Sequence, residues 1–215
     1  GFYLAQRYGM MTEADYGTSG IYQFRWASGY DKYLNAMRYR VKEILSFDAA
    51  DLPSLKRWLY DAADGSAQGG LLTFSSQSTR WTINNNYNGP SNTGYHSLLT
   101  HLATSGAHAM TIVGYDDLVE FSDTDGQKHK GAFIVCNTWG TFSHDQGRFY
   151  LPYWFFTDHQ HTDLVLSSKM QAVRVATYDP KVVFKVKLKY SSRNDLSFGT
   201  ARRDNGNTSS TPQYN

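Results

Sequence analysis

The chain has 215 residues, 40% of them hydrophobic and 15% aromatic, enough for one large domain or for a domain plus part of another. Only 19% of the residues are charged and the formal net charge is +2, which excludes the signature of disorder and that of a strongly basic nucleic-acid binder. The single cysteine, Cys136, rules out an intrachain disulfide, and the longest apolar runs, Ala107 to Gly114 and Ala132 to Cys136, are far shorter than the roughly 20 residues of a membrane-spanning helix.

The chain opens on Gly1 and runs straight into FYLAQRYG with no signal peptide, cap or polar lead-in, the start expected of a cut chain. Phe2, Leu4, Ala5 and Tyr8 share one helical face, and Gly9 is the natural stop. The stretch MMTEADYGTSGIYQFRWASGYDKY has no steady periodicity and reads as an irregular loop that packs its aromatic residues. VKEILSF reads as a strand. The spacing predicts a helix from Asp51 to Ala63, with Asp51 near its N-cap, Pro53 in the first turn, Leu55, Leu59 and Ala62 on one face, and Gly65 closing it. GGLLTFSS is a buried strand, and NNNYNGPSNTG is a long loop.

AHAMTIVGY, GAFIVCNTWG and RFYLPYWFF then form an antiparallel meander, with turns marked by the Asp125-Gly126 pair and by Asp145, Gln146 and Gly147. From Lys181, KVVFKVKLKYSS alternates apolar and basic residues, the pattern of a strand with one solvated face. Residues 193–215 are polar and read as a loose tail. There is no internal repeat.

Two polar residues interrupt the apolar strands. His108 shares a strand face with Met110 and Ile112, and Asn137 shares one with Val135. Buried polar groups need partners, and an Asn carboxamide oxygen accepting the imidazole N–H satisfies both while fixing the tautomer of the histidine. A histidine held that way suits a thiol nucleophile: it takes the thiol proton, pairs with the thiolate and returns the proton to the leaving group.

These residues resemble those of the papain-like (C1) cysteine peptidases. The histidine block of that family is similar to GAHAMTIVGYDD. Its asparagine block, usually Asn-Ser-Trp-Gly before a Gly-rich turn and an aromatic strand, is similar to Asn137, Thr138, Trp139 and Gly140 through Gly147 and Tyr150. RYGMMTEADY, VKEILSF, SLKRWLYDA and GGLLTFSS fall where the family has corresponding elements, so the resemblance covers about residues 1–168. It implies an α+β papain-like fold: an antiparallel β-rich right lobe with part of the helical left lobe over 1–168, then the start of an appended β segment over 169–215.

The resemblance further implies that His108 is the general base and acid, Asn137 its orienting partner and Trp139 the indole that shields their hydrogen bond. Ala107 and Ala109 would flank the substrate cleft. It implies a peptide or protein substrate and calls for no cofactor, metal, nucleic acid or membrane span. The family's nucleophilic cysteine, oxyanion-hole glutamine and Gly-Gly segment belong before residue 1, so a missing N-terminal segment of the same domain is an expected partner, and the chain alone is expected to be inactive. Cys136 immediately precedes Asn137, so in a strand it points to the opposite face, and it reads as a buried, inert thiol. Many relatives are secreted, and the lack of disulfide cysteines is closer to bacterial members, which implies a secreted, periplasmic or cell-surface location. The alternative is a non-catalytic binding protein on the same scaffold, recognising a protein or peptide.

Other candidates have plainer readings. Asp123, Asp125 and Gly126 resemble the start of a calcium loop, but Ile134 stands where the closing glutamate belongs, so a hairpin turn is the better reading. His159 and His161 with Asp158 and Asp163 could bind a metal from one strand face, although such isolated pairs are common. His96 and His101 have less support. Asn207, Thr208 and Ser209 form a glycosylation sequon in form only, and the Lys181, Lys185, Lys187, Lys189 stripe reads as a solvated face.

Overall fold

An eight-stranded sheet organises most of the chain in the computed structural model. Its strands are β1 (Arg40–Asp48), β2 (Leu72–Ser76), β3 (Thr82–Asn84), β4 (Leu98–His101), β5 (His108–Ser122), β6 (Lys128–Cys136), β7 (Arg148–Pro152) and β8 (Lys169–Ala176). They lie in the order β1, β8, β2, β5, β6, β7, β4, β3, and every pairing is antiparallel except that of β4 with β7. The helices are α1 (Phe2–Tyr8), α2 (Glu13–Tyr16), α3 (Tyr30–Ala36), α4 (Leu52–Asp61) and α5 (Trp154–Thr157). The structure describes residues 2–17, 27, 29–77, 81–102, 105–123, 125–158, 168–199, 201–202 and 213–214. This mixture of helices with a large, mostly antiparallel sheet is the expected α+β class.

The meander forms as the apolar runs predict. β5 and β6 pair from Thr111↔Cys136 out to Ser122↔Lys128, and β6 and β7 pair from Ala132↔Pro152 to Cys136↔Arg148. Ile112, Phe133, Val135, Phe149 and Tyr150 are fully buried, each such side chain contributing roughly 1.5–3 kcal/mol. Gly131 permits the close packing here: its φ is +88°, and a Cβ would lie 2.2 Å from the Tyr153 ring. The strand expected over RFYLPYWFF stops at Pro152, and Trp154–Thr157 turns into α5, which buries Phe155 and Phe156.

In α4 the Asp51 carboxylate accepts the Ser54 N–H at 3.3 Å, and Leu55, Trp58 and Leu59 make the buried stripe. The helix ends at Asp61, short of the expected Ala63, and Gly65 is not the residue that closes it. Ala62 adopts the left-handed conformation (φ +53°) as C-cap. The Trp58 carbonyl accepts the Gly70 N–H at 2.8 Å and the Trp58 indole donates to the Leu71 carbonyl at 3.0 Å, so the chain is drawn back against the helix as it enters β2. The segment expected to be a loop holds two short helices, α2, capped by the Thr12 hydroxyl, and α3. α1 ends before Gly9 as expected, but it buries only Ala5, and Tyr3, Leu4 and Tyr8 are exposed.

The chain divides into two compact units, Gly1–Asp179 and Pro180–Asn215. β8 pairs with β1 along its whole length, so the sheet of the first unit continues past the boundary expected after residue 168. In the second unit, Ala201–Arg202 pairs with Gln213–Tyr214. The strand expected from Lys181 is not formed. Among the described residues no ladder is assigned over 182–190, and Val182, Phe184, Val186 and Leu188 are 57–78% exposed. Alternation supplies a face, but a strand also needs a neighbour to take its N–H and C=O groups.

Candidate active site

His108 opens β5 opposite Ser76 of β2, on the face of the buried Met110 and Ile112. Asn137 directly follows β6 and is 5% exposed. Its N–H donates to the Gly147 carbonyl at 2.9 Å, closing the loop that leads to β7. At the loop's end, Asp145 and Arg148 exchange backbone hydrogen bonds across Gln146 (φ +52°) and Gly147 (φ +82°), the pair of positive φ values that a type I′ turn requires.

These two strand ends bring the predicted pair together. His108 Nε2 lies 2.9 Å from Asn137 Oδ1, which also accepts the Thr138 N–H at 2.8 Å. A carboxamide oxygen only accepts, so Nε2 is the donor and the lone pair of His108 is on Nδ1. Trp139 stacks on the imidazole with ring centroids 5.1 Å apart and planes 28° apart, while remaining 47% exposed.

Sequence reasoning missed the second indole. Trp81 approaches His108 edge-on at 6.1 Å, lies 6.4 Å from Trp139 and 5.6 Å from Phe149, and donates its indole N–H to the Gln77 carbonyl. It precedes a three-residue strand and no periodic pattern marks it.

Cys136 is placed away from this chemistry. It pairs with Thr111, so the alternation of side chains puts it on the sheet face opposite His108 and Met110. Its Sγ makes a long 3.9 Å contact with the Asn137 carbonyl. The thiol is half-buried, not buried as expected, because it stands at the last rung of both of its ladders. Ala107 and Ala109 are both exposed. Ala109 lines a groove of about 530 Å³ with Tyr3, Ile44, Ser75 and Gln171, on the strand face opposite His108.

A second polar centre, also missed, fixes the loop between β3 and β4. The buried Asp116 carboxylate accepts from the N–H groups of Asn92 (2.6 Å), Thr93 (3.0 Å) and Leu118 (3.0 Å) and from the Thr93 hydroxyl (3.1 Å). Burial alone would raise its pKa, but these donors outweigh burial and hold the carboxyl below the ordinary value. The Tyr150 hydroxyl joins the same loop, bonding to Ser91 Oγ at 2.5 Å and Thr93 Oγ1 at 2.8 Å.

The remaining candidates take structural places. Asp123 Oδ1 accepts from the N–H groups of Asp125 (3.0 Å) and Gln127 (2.8 Å), and its Oδ2 lies 2.7 Å from His129 Nε2, the geometry of a hairpin turn. The His96 N–H donates to Asp145 at 2.8 Å, and His101 ends β4. His159, His161, Asp163 and the 207–209 sequon lie outside the described residues. Among the described residues no group of three His, Cys, Asp or Glu side chains could hold a metal ion, and no helix is long and apolar enough to cross a membrane.

No protein-family model matches the sequence, and no curated protein matches it. Solved structures do. The clostridial cysteine protease Cwp84 after propeptide cleavage is 20% identical, with a TM-score of 0.52 over 82% of this chain and 40% of that one. The cysteine protease and lectin-like domains of Cwp84, a surface layer associated protein of Clostridium difficile, are 20% identical, with a TM-score of 0.51 over 82% of this chain and 36% of that one. Xylellain, a cysteine protease from Xylella fastidiosa, is 18% identical, with a TM-score of 0.46 over 83% of this chain and 60% of that one. The chain thus spans less than two thirds of each of these proteins. Mostly antiparallel sheet, α+β organisation and the two Cwp84 comparisons define the class: a papain-like fold. Within that class, this chain has the fold of the papain-like cysteine proteases.

Proposed function

We propose that His108 and Asn137 are the general base and the orienting residue of a peptidase that hydrolyses peptide bonds by a Cys-His-Asn mechanism. The observation that supports this most is the 2.9 Å contact between His108 Nε2 and Asn137 Oδ1 beneath Trp139. In this reading His108 Nδ1 takes a thiol proton and the thiolate attacks the substrate carbonyl carbon. The imidazolium then protonates the departing amine as the C–N bond breaks, leaving a thioester. Water, deprotonated by the neutral imidazole, cleaves the thioester to the carboxylic acid and restores the thiol.

Cys136 is the one cysteine of the sequence and faces away from His108, so the attacking thiol is contributed by polypeptide outside these 215 residues. The substrate is a peptide or protein, and the location is secreted, periplasmic or at the cell surface. This chain alone hydrolyses no peptide substrate. The natural polypeptide that joins it to the thiol does so, reacts with an epoxide thiol inhibitor, and loses about 10²–10⁴-fold in rate in His108→Ala. Turnover by the isolated chain that His108→Ala abolishes contradicts the assignment of the nucleophile. The placement of Cys136 favours the second reading, a binding protein on the same scaffold. That reading is upheld if the natural polypeptide neither turns over peptides nor takes the inhibitor.

A further inference from the structure

Asn137 holds His108 by one atom. The bond from Nε2 to Oδ1 fixes which nitrogen carries the proton, but a carboxamide oxygen accepts over a broad range of directions, so the imidazole plane can still swing about that contact. The Nδ1 lone pair lies in the ring plane and swings with it. A ring whose lone pair must meet a thiol proton needs a second constraint, a need that rests on the peptidase reading of His108 and Asn137.

Trp139 supplies part of it by stacking at 5.1 Å, but it sits in the turn after β6 and is 47% exposed. Trp81 is better anchored. Its ring packs 5.6 Å from that of Phe149, which has no exposed surface, and its indole N–H donates to the Gln77 carbonyl. Gln77 directly follows Ser76, the β2 residue paired with His108, so ladder, indole hydrogen bond and ring contact close a circuit from His108 back to itself. Asn137 has no place in that circuit. We propose that Trp81 is a positioning residue that sets the plane of the His108 imidazole, while Asn137 sets its tautomer.

The ring geometry fits this division. The centroid separations of His108 to Trp139, His108 to Trp81 and Trp81 to Trp139 are 5.1, 6.1 and 6.4 Å, a near-equilateral triangle. Trp81 therefore flanks the stacked pair and does not lie across the imidazole from Trp139. The planes of Trp81 and His108 stand 60° apart, the edge-to-face arrangement that aromatic pairs favour, while those of Trp139 and His108 are 28° apart. A tilt of the imidazole thus either presses it into one indole or breaks its contact with the other. Trp139 restrains the ring from its face and Trp81 from the side, and only Trp81 is tied to the strand that pairs with His108.

Nitrogen-15 NMR on the full 215-residue chain separates the two roles without any need for turnover. Trp81→Ala is expected to keep the His108 proton on Nε2 while that N–H exchanges with water about 2- to 10-fold faster, the factor that an edge-to-face aromatic pair contributes. Trp81→Phe, with a smaller ring, is expected to fall between the wild type and Trp81→Ala. Ile83→Ala, two residues on in β3 at a partly buried position without a ring, controls for general loosening and is expected to leave the rate as in the wild type. An exchange rate unchanged in Trp81→Ala overturns the proposal, and so does an equal rise in Ile83→Ala or loss of the Nε2 tautomer in Trp81→Ala. Should Trp81→Ala not fold, Trp81→Phe decides: its rate must exceed that of the wild type with Nε2 still protonated, and a rate equal to the wild type overturns the proposal. Absence of peptide hydrolysis by the natural polypeptide counts against the peptidase reading and leaves these readouts intact, so the two fail separately.

Discussion

The β5–β6–β7 meander, built from apolar runs, and residues 182–190, which alternate apolar and basic side chains, both read as strands and end in opposite states. In the meander, Ile112, Phe133 and Phe149 lose all their exposed surface while both ladders take up the backbone polar groups. In the second unit, Val182, Phe184 and Val186 stay 68–78% exposed and join no ladder among the described residues. Apolar periodicity therefore selects a face, and only a hydrogen-bonded neighbour plus an opposing apolar layer turn that face into structure.

The largest expected effect falls at the centre of the meander. Phe133 packs against Tyr153 at 4.7 Å and Phe156 at 5.5 Å with no exposed surface, so Phe133→Ala should cost about 3–5 kcal/mol in urea denaturation. A cost near zero would mean that the meander is not a packed core. A smaller effect is expected at the polar centre that ties the 85–97 loop to β5. Asp116→Ala leaves several N–H donors unpaired and should cost about 1–3 kcal/mol. The pKa of the folded Asp116 lies below that of the unfolded chain, so its stabilisation is complete above about pH 4 and is lost as pH falls through the folded value. Urea midpoints followed from pH 6 to pH 2 should therefore drop more steeply in the wild type than in Asp116→Ala, and parallel curves would contradict the assignment. The smallest effect belongs to the exposed segment: Phe184→Ala should change stability by less than about 0.5 kcal/mol, and a larger loss would show that these side chains are packed.

The same contrast explains what could be read from the chain. The α4 cap at Asp51, the starts of the meander strands and the turn at Gly147 are set by local chemistry, and they stand close to where the sequence puts them. His108 and Asn137 were legible because polar residues inside apolar strands demand partners. Features that depend on distant contacts were not legible. α3 buries only Ala36 and carries no stripe, and the end of α4 at Ala62 is set by how Trp58 holds the returning chain. Trp81 and Asp116 sit in loop or polar contexts whose partners come from other elements, so nothing adjacent in sequence announces them.

The account depends most on the orientation of His108, and the imidazole nitrogen-15 spectrum of the folded chain reads that orientation directly. With Asn137 Oδ1 accepting at 2.9 Å, neutral His108 should carry its proton on Nε2 and leave Nδ1 bare, and Asn137→Ala should abolish that preference. A neutral His108 protonated on Nδ1, or a tautomer unchanged in Asn137→Ala, would contradict the claim that this pair is built to receive a proton from a thiol.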